Sequence, residues 1–69
     1  MKNLASLTSL RVFSVVGKRL SFTDAAKELG VTQSAVSRQI KSLENSLNID
    51  LFNRVGNSVS LTKDGESFH

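Results

Sequence analysis

VTQSAVSRQIKSLE, residues 31–44, reads as a helix with two unlike faces. Val36, Ile40, Leu43 and, just beyond, Leu47 recur at the spacing of one apolar helical stripe. The other side carries Ser34, Arg38 and Lys41, with Gln33 and Ser37 at its flank. No carboxylate falls on that side in the first two turns. A solvated helix face usually mixes Glu with Lys, because both signs help solubility and form i,i+4 pairs. Short hydroxyls, an amide and cations form a surface suited to a hydrogen-bonding anion. Thr32 is placed to cap the helix start and Asn48 to stop it in a left-handed conformation, which predicts a helix over Gln33–Leu47.

Upstream, SFTDAAKELG (21–30) reads as a shorter helix. Ser21 followed three residues later by Asp24 has capping-box spacing, with Thr23 as a rival N-cap. Phe22, Ala25, Ala26 and Leu29 supply its buried side, and Gly30 ends it. Only Gly30 to Thr32 separate the two helices. The first segment, LASLTSLRVFSVVGKRL (4–20), places Leu10, Phe13, Val16 and Leu20 on one predicted stripe. Leu4 and Leu7 drift off it and belong either to a frayed first turn or to a contact outside the domain.

Downstream, LFNR and SVSLT are β-compatible runs around VGNS. Gly56-Asn57 predicts a hairpin turn, and Val59 and Leu61 alternate with Ser58 and Ser60 as a half-buried strand does. Thr62 then caps a fourth helix, KDGESFH (63–69).

Composition narrows the chemistry. With 69 residues the chain makes one domain, and with no cysteine it has neither disulfides nor thiolate metal sites. The one histidine, His69, is the last residue and reads as a solvated chain end. Asp24 and Glu28 stand at i,i+4 on a helix face with Lys27 between them, and no histidine or cysteine accompanies them, so they read as a solvated face. We therefore expect no enzyme: no catalytic residue, no metal and no cofactor in this chain. No apolar run approaches the ~20 residues of a membrane span, and the N-terminus lacks a signal-peptide h-region. A cytoplasmic, nucleoid-associated location is the expectation. The net charge of +3 is compatible with nucleic acid.

Helix, two helices around a tight glycine turn, then a hairpin is the order of a winged helix-turn-helix, a mainly α fold of three helices and a two-stranded wing. The spacing Ala26-x3-Gly30-x5-Val36 fits it: a small residue where helices cross, a glycine at the turn, and an apolar plug from the second helix. Such a helix enters the major groove by its N-terminal half. Gln33, Ser34, Ser37 and Arg38 are short or hydrogen-bonding there; Arg suits guanine, Gln suits adenine, and Ala35 is small enough to approach a thymine methyl. On this helix alone, a solvated polar face with Thr32 and Ser34 serving as caps fits equally well.

The run SFTDAAKELGVTQSAVSRQIKSLENSLNIDLFNRVGNSVSLTKDGE resembles the N-terminal DNA-binding domain of LysR-type transcriptional regulators, and LTSLRVFSVV looks like that family's first helix. The motifs SFT-AA--L, Q-AVS-QI--LE and LF-R---S--LT--G occur in this order over Leu7 to Glu66. The ModE-type molybdate regulators share a similar winged domain and are a second resemblance. The LysR resemblance implies sequence-specific double-stranded DNA binding by a bacterial transcription regulator. It implies base contacts from Gln33, Ser34, Ser37 and Arg38. It implies phosphate contacts from Ser21, Thr23, Thr32, Lys41 and Arg54, and a wing tip of Val55, Gly56, Asn57 and Ser58 on the minor groove or backbone. A winged domain used for protein–protein contact is the alternative, against which stands the Ser, Arg and Lys content of the helix.

Ser34 stands where the family often has proline, Asn48 where it usually has glycine, and Leu20 where a small or polar residue is commoner. Arg54 is the wing's one basic residue. Full members of the family continue into a long linker helix and an effector-binding domain. The expected division is a winged domain over 1–62 and the start of the linker helix over 63–69, in an isolated domain or a truncated product. No small-molecule effector site is expected here. A homodimer or higher oligomer is expected only with the complete linker helix and effector domain, so this chain should be mostly monomeric.

Overall fold

The computed structural model describes residues 7–56 and 58–69; the Leu4 expectation and Asn57 of the wing lie outside them. The elements run α1 (Leu7–Arg19), α2 (Phe22–Leu29), α3 (Gln33–Leu47), β1 (Phe52–Val55), β2 (Ser58–Leu61) and α4 (Lys63–Phe68). This is the expected mainly helical fold, three helices and a two-stranded hairpin followed by a short helix.

Local cap chemistry sets the helix ends. The Ser21 hydroxyl accepts the Asp24 N–H at 3.1 Å, so Ser21 and not Thr23 caps α2. Gly30 takes a left-handed φ of 71°, and the Val31 N–H closes back on the Ala26 carbonyl at 3.0 Å. The Thr32 hydroxyl accepts the Ala35 N–H at 3.1 Å and opens α3 directly. Asn48 ends α3 with a left-handed φ of 58°.

The three helices bury one core. Val36, Ile40 and Leu43 of α3 meet Phe22, Ala25 and Ala26 of α2 and Val12, Phe13, Val15 and Val16 of α1, with Leu51 and Phe52 from the hairpin root. Leu29 and Leu47 pack at its edge, half-buried.

The α1 stripe departs from expectation. Its buried positions are Ser9, Val12, Phe13, Val15, Val16 and Gly17, whereas Leu10 and Leu20 are each 43% exposed. Steps of three place Leu10 about 60° from Phe13 at 100° per residue, on the rim, while Ser9, Val12, Phe13 and Val16 hold the i, i+3, i+4, i+7 face. Leu20 leaves the helix altogether: it is the left-handed stop of α1, with φ 53°. Leu7, at 85% exposed, makes no part of the core.

The hairpin is antiparallel, with Phe52 opposite Leu61, Arg54 opposite Val59 and Val55 opposite Ser58. Gly56, at φ 60°, begins its turn. Phe52 anchors the hairpin to the helices, its ring centroid 5.6 Å from Phe13 and 6.0 Å from Phe22. Thr62 joins β2 to α4: its hydroxyl donates to the Asp50 carbonyl at 2.6 Å and accepts the Gly65 N–H at 2.9 Å. Gly65 is buried so closely against the Leu51 carbonyl that a Cβ there would clash with backbone. His69 is exposed, as expected of a solvated chain end, but it is packed rather than loose. Its ring stands edge-on to Phe13 at 5.5 Å, and its Nε2 lies 3.1 Å from the Ser14 carbonyl, so α4 returns to α1.

Candidate nucleic-acid interface

The start of α2, the first turns of α3 and the hairpin enclose one groove of about 360 Å³. Ser21, Phe22 and Thr23 line it from α2, Gln33 and Ser37 from α3, and Arg54, Gly56 and Ser58 from the hairpin, with Leu20 and Val59 completing it. No acidic side chain lines it. The N-termini of α2 and α3 both lie at this groove, so their free N–H groups and positive dipole ends add to the cation of Arg54.

The residues singled out in the sequence divide accordingly. Ser21, Thr23, Gln33, Ser37, Arg54, Gly56 and Ser58 share the groove. Thr32, Ser34 and Arg38 are exposed at the start and along the outer side of α3, and Val55 is exposed at the hairpin tip. Lys41 stands further along α3, beside a separate hollow with Asn45, Asn48 and Asp50. Ala35 turns the other way: it is half-buried and lines an apolar hollow of about 300 Å³ with Val12, Leu29 and Val31.

Several of these side chains are held in place. The Arg54 guanidinium carbon lies 4.2 Å above the centroid of the buried Phe22 ring, a cation–π contact worth about 0.5–1 kcal/mol at an exposed site. The Thr23 hydroxyl donates to Gln33 Oε1 at 3.1 Å, and the Thr32 and Ser34 hydroxyls are 3.3 Å apart. Arg38 and Lys41 make no ion pair among the described residues. By contrast, Lys18 and Arg19 are engaged by Glu28, at 3.3 and 2.8 Å. Their hydrogen bonds, that of Arg19 foremost, hold the exposed Glu28 carboxyl below its ordinary value of 4.5. Of the cations of α3 and the wing, Arg54 lines the groove, whereas Arg38 and Lys41 stand outside it along α3.

Two supports of the interface escaped sequence reading. Phe22 looked like a core residue only, and nothing local marks it as a platform for an arginine thirty-two positions away. Glu44 is half-buried, and its carboxylate accepts the Leu51 N–H at 2.8 Å and the Phe52 N–H at 3.3 Å, tying the root of the wing to α3. A signal for Glu44 existed: an acid in the last turn of a helix faces the negative dipole end and needs a compensating donor. No cluster of three or more His, Asp or Glu able to hold a metal ion occurs among the described residues.

The profile described as "Bacterial regulatory helix-turn-helix protein, lysR family" matches residues 7–66. The chain belongs to that family. The match decides between the two resemblances in favour of LysR-type regulators. Among curated relatives, the chain is 54% identical over 67 residues to the glycine cleavage system transcriptional activator of Escherichia coli K12, covering 97% of this chain and 22% of that protein. The chain thus spans about a fifth of the length of that relative. Among solved structures, the BenM_DBD/catB site 1 DNA complex superposes with a TM-score of 0.87 at 41% identity, over 91% of this chain and 70% of that one. The CbnR_DBD–DNA complex does so with a TM-score of 0.87 at 32% identity, over 91% and 72%. Two neighbours of this fold are therefore solved on DNA.

Proposed function

We propose that this chain is the sequence-specific, double-stranded-DNA-binding domain of a bacterial transcription regulator. The observation that carries the reading is the groove itself: hydroxyls, an amide and a cation from three elements converge around two helix N-termini with no acid among them. Gln33, Ser34, Ser37 and Arg38 face the base edges of a major groove. Ser21, Thr23, Thr32, Lys41 and Arg54 take phosphates, and the hairpin tip follows the backbone or the minor groove. That the similar BenM and CbnR domains are solved in complex with DNA supports DNA as the partner. Contact with a protein partner fits less well, since the exposed side of α3 offers Ser, Arg and Lys rather than apolar anchors.

Binding titrations at several salt concentrations test this. Arg54→Ala and Lys41→Ala each remove about one unit of the log–log salt slope and weaken all duplexes alike, as one lost phosphate contact does. Arg38→Ala costs roughly 1–3 kcal/mol on a selected site and relaxes one base position. Equal losses for Arg38→Ala on selected and scrambled duplexes make it a phosphate contact, and unchanged slopes for Lys41→Ala and Arg54→Ala remove the wing and helix from the interface.

A further inference from the structure

Gln33 opens α3, and in isolation its amide can pair with adenine in two ways at once, the oxygen accepting from N6 and the NH2 donating to N7. The structure does not leave that amide free. The hydroxyl of Thr23, the second residue of α2, donates to Gln33 Oε1 at 3.1 Å. The neighbouring positive end of α2 favours the carbonyl oxygen over the NH2 on that side. Because oxygen and nitrogen diverge from one carbon, an oxygen turned back to α2 leaves the NH2 directed away from it. Gln33 then turns its NH2 donors outward, while Oε1, with one of its two lone pairs taken by Thr23, faces α2.

We propose that Thr23 sets which bases Gln33 can read, so that the locked amide selects a base carrying an exocyclic carbonyl, guanine or thymine, and disfavours adenine. Guanine offers O6 and N7 and thymine offers O4, all acceptors for an amide NH2. Adenine still offers N7 to that NH2 but loses the second bond of the bidentate pair, because an Oε1 turned back to α2 is out of line with its N6 amino group. Thr23 is thus a positioning residue for specificity, acting through Gln33: its one O–H serves that task, and its phosphate contact falls to its backbone N–H at the start of α2. The inference rests on the reading of Gln33 as a base contact.

The test compares the chain with its Thr23→Val, Thr23→Ser and Gln33→Ala variants, by selection from randomised duplexes followed by titration of single-base variants. Thr23 is exposed, so the near-isosteric valine leaves the core untouched. Gln33→Ala first identifies the base position that Gln33 reads. At that position Thr23→Val moves the preference toward adenine by about fivefold, the size of one net hydrogen bond, while Thr23→Ser keeps guanine or thymine. If Gln33→Ala relaxes a position and Thr23→Val leaves its base preference unchanged, the lock is overturned while the base contact stands. A loss in Thr23→Val that is equal on all duplexes likewise overturns it and returns the Thr23 hydroxyl to phosphate contact. If Gln33→Ala relaxes no position, the base-reading role of Gln33 fails and the lock with it.

Discussion

Replacing Glu44 by alanine should loosen the wing and cost more than an ordinary surface change. The carboxylate accepts two N–H groups, from Leu51 at 2.8 Å and from Phe52 at 3.3 Å, and both donors belong to buried residues. Hydrogen bonds to a charged group are worth about 1.5–3 kcal/mol each, and the longer one falls below that range. Their joint loss is roughly 2–4 kcal/mol, because alanine leaves the two donors without a partner in a part-buried place. Glu44→Gln keeps one carbonyl acceptor and loses the charge, so its cost is about 1 kcal/mol. A chain of this length has a total stability of roughly 3–10 kcal/mol. Urea unfolding followed by far-UV circular dichroism reads the difference. With a slope of about 1 kcal/mol/M, the alanine midpoint falls by roughly 2–4 M and the glutamine midpoint by about 1 M. Amide exchange at Leu51 and Phe52 accelerates beyond the rest of the core in the glutamine variant. An alanine midpoint equal to that of the parent chain would refute the clamp.

Other outcomes follow from the same packing. Ile40 is fully buried at the centre of the α3 stripe, so Ile40→Ala costs about 2–5 kcal/mol and a thermal melt shows a domain partly unfolded at room temperature. Glu28 has its carboxyl depressed in the folded state, so its contribution to stability is present above its ordinary value of 4.5 and is lost as pH falls through the lower folded value. Glu28→Gln therefore flattens the acid side of the stability profile, and added salt shrinks the difference, as befits an exposed pair. Phe68 at 54% exposed and Leu10 offer limited apolar area to a second copy. Burying one Phe contributes at most about 3 kcal/mol against an association cost of about 4 kcal/mol or more, so sedimentation finds mostly monomer at micromolar concentration.

What could be read from the sequence was local. The bounds of α3, the caps Ser21, Thr32 and Thr62 and the stops Gly30 and Asn48 follow from chemistry within four residues, and each stands where the periodicity put it. The hairpin was legible from a turn dipeptide and a two-residue alternation. The α1 face was not: with Leu, Val or Phe at six of its 13 positions, spread over more than one stripe, only packing against α2 and α3 selects Ser9, Val12, Phe13 and Val16. Leu20 looked like the last residue of that stripe because nothing in its own chemistry announces a left-handed stop. The site was legible as a set of residue types but not as a geometry. Contacts such as Arg54 on Phe22, Thr23 on Gln33 and His69 on Phe13 join residues ten to fifty-six positions apart, and no helical or strand period links them.

Amide chemical-shift mapping decides whether the α2–α3–wing groove is the DNA-binding face. The ¹⁵N-labelled chain is titrated with a duplex obtained by selection. The largest shifts are expected at Ser21–Asp24, Thr32–Arg38 and Arg54–Ser58. Thr8, Arg11 and Gln39 around the apolar hollow on the far side should stay in place. Shifts concentrated at that hollow, with the groove amides unmoved at saturation, would contradict the groove as the binding face.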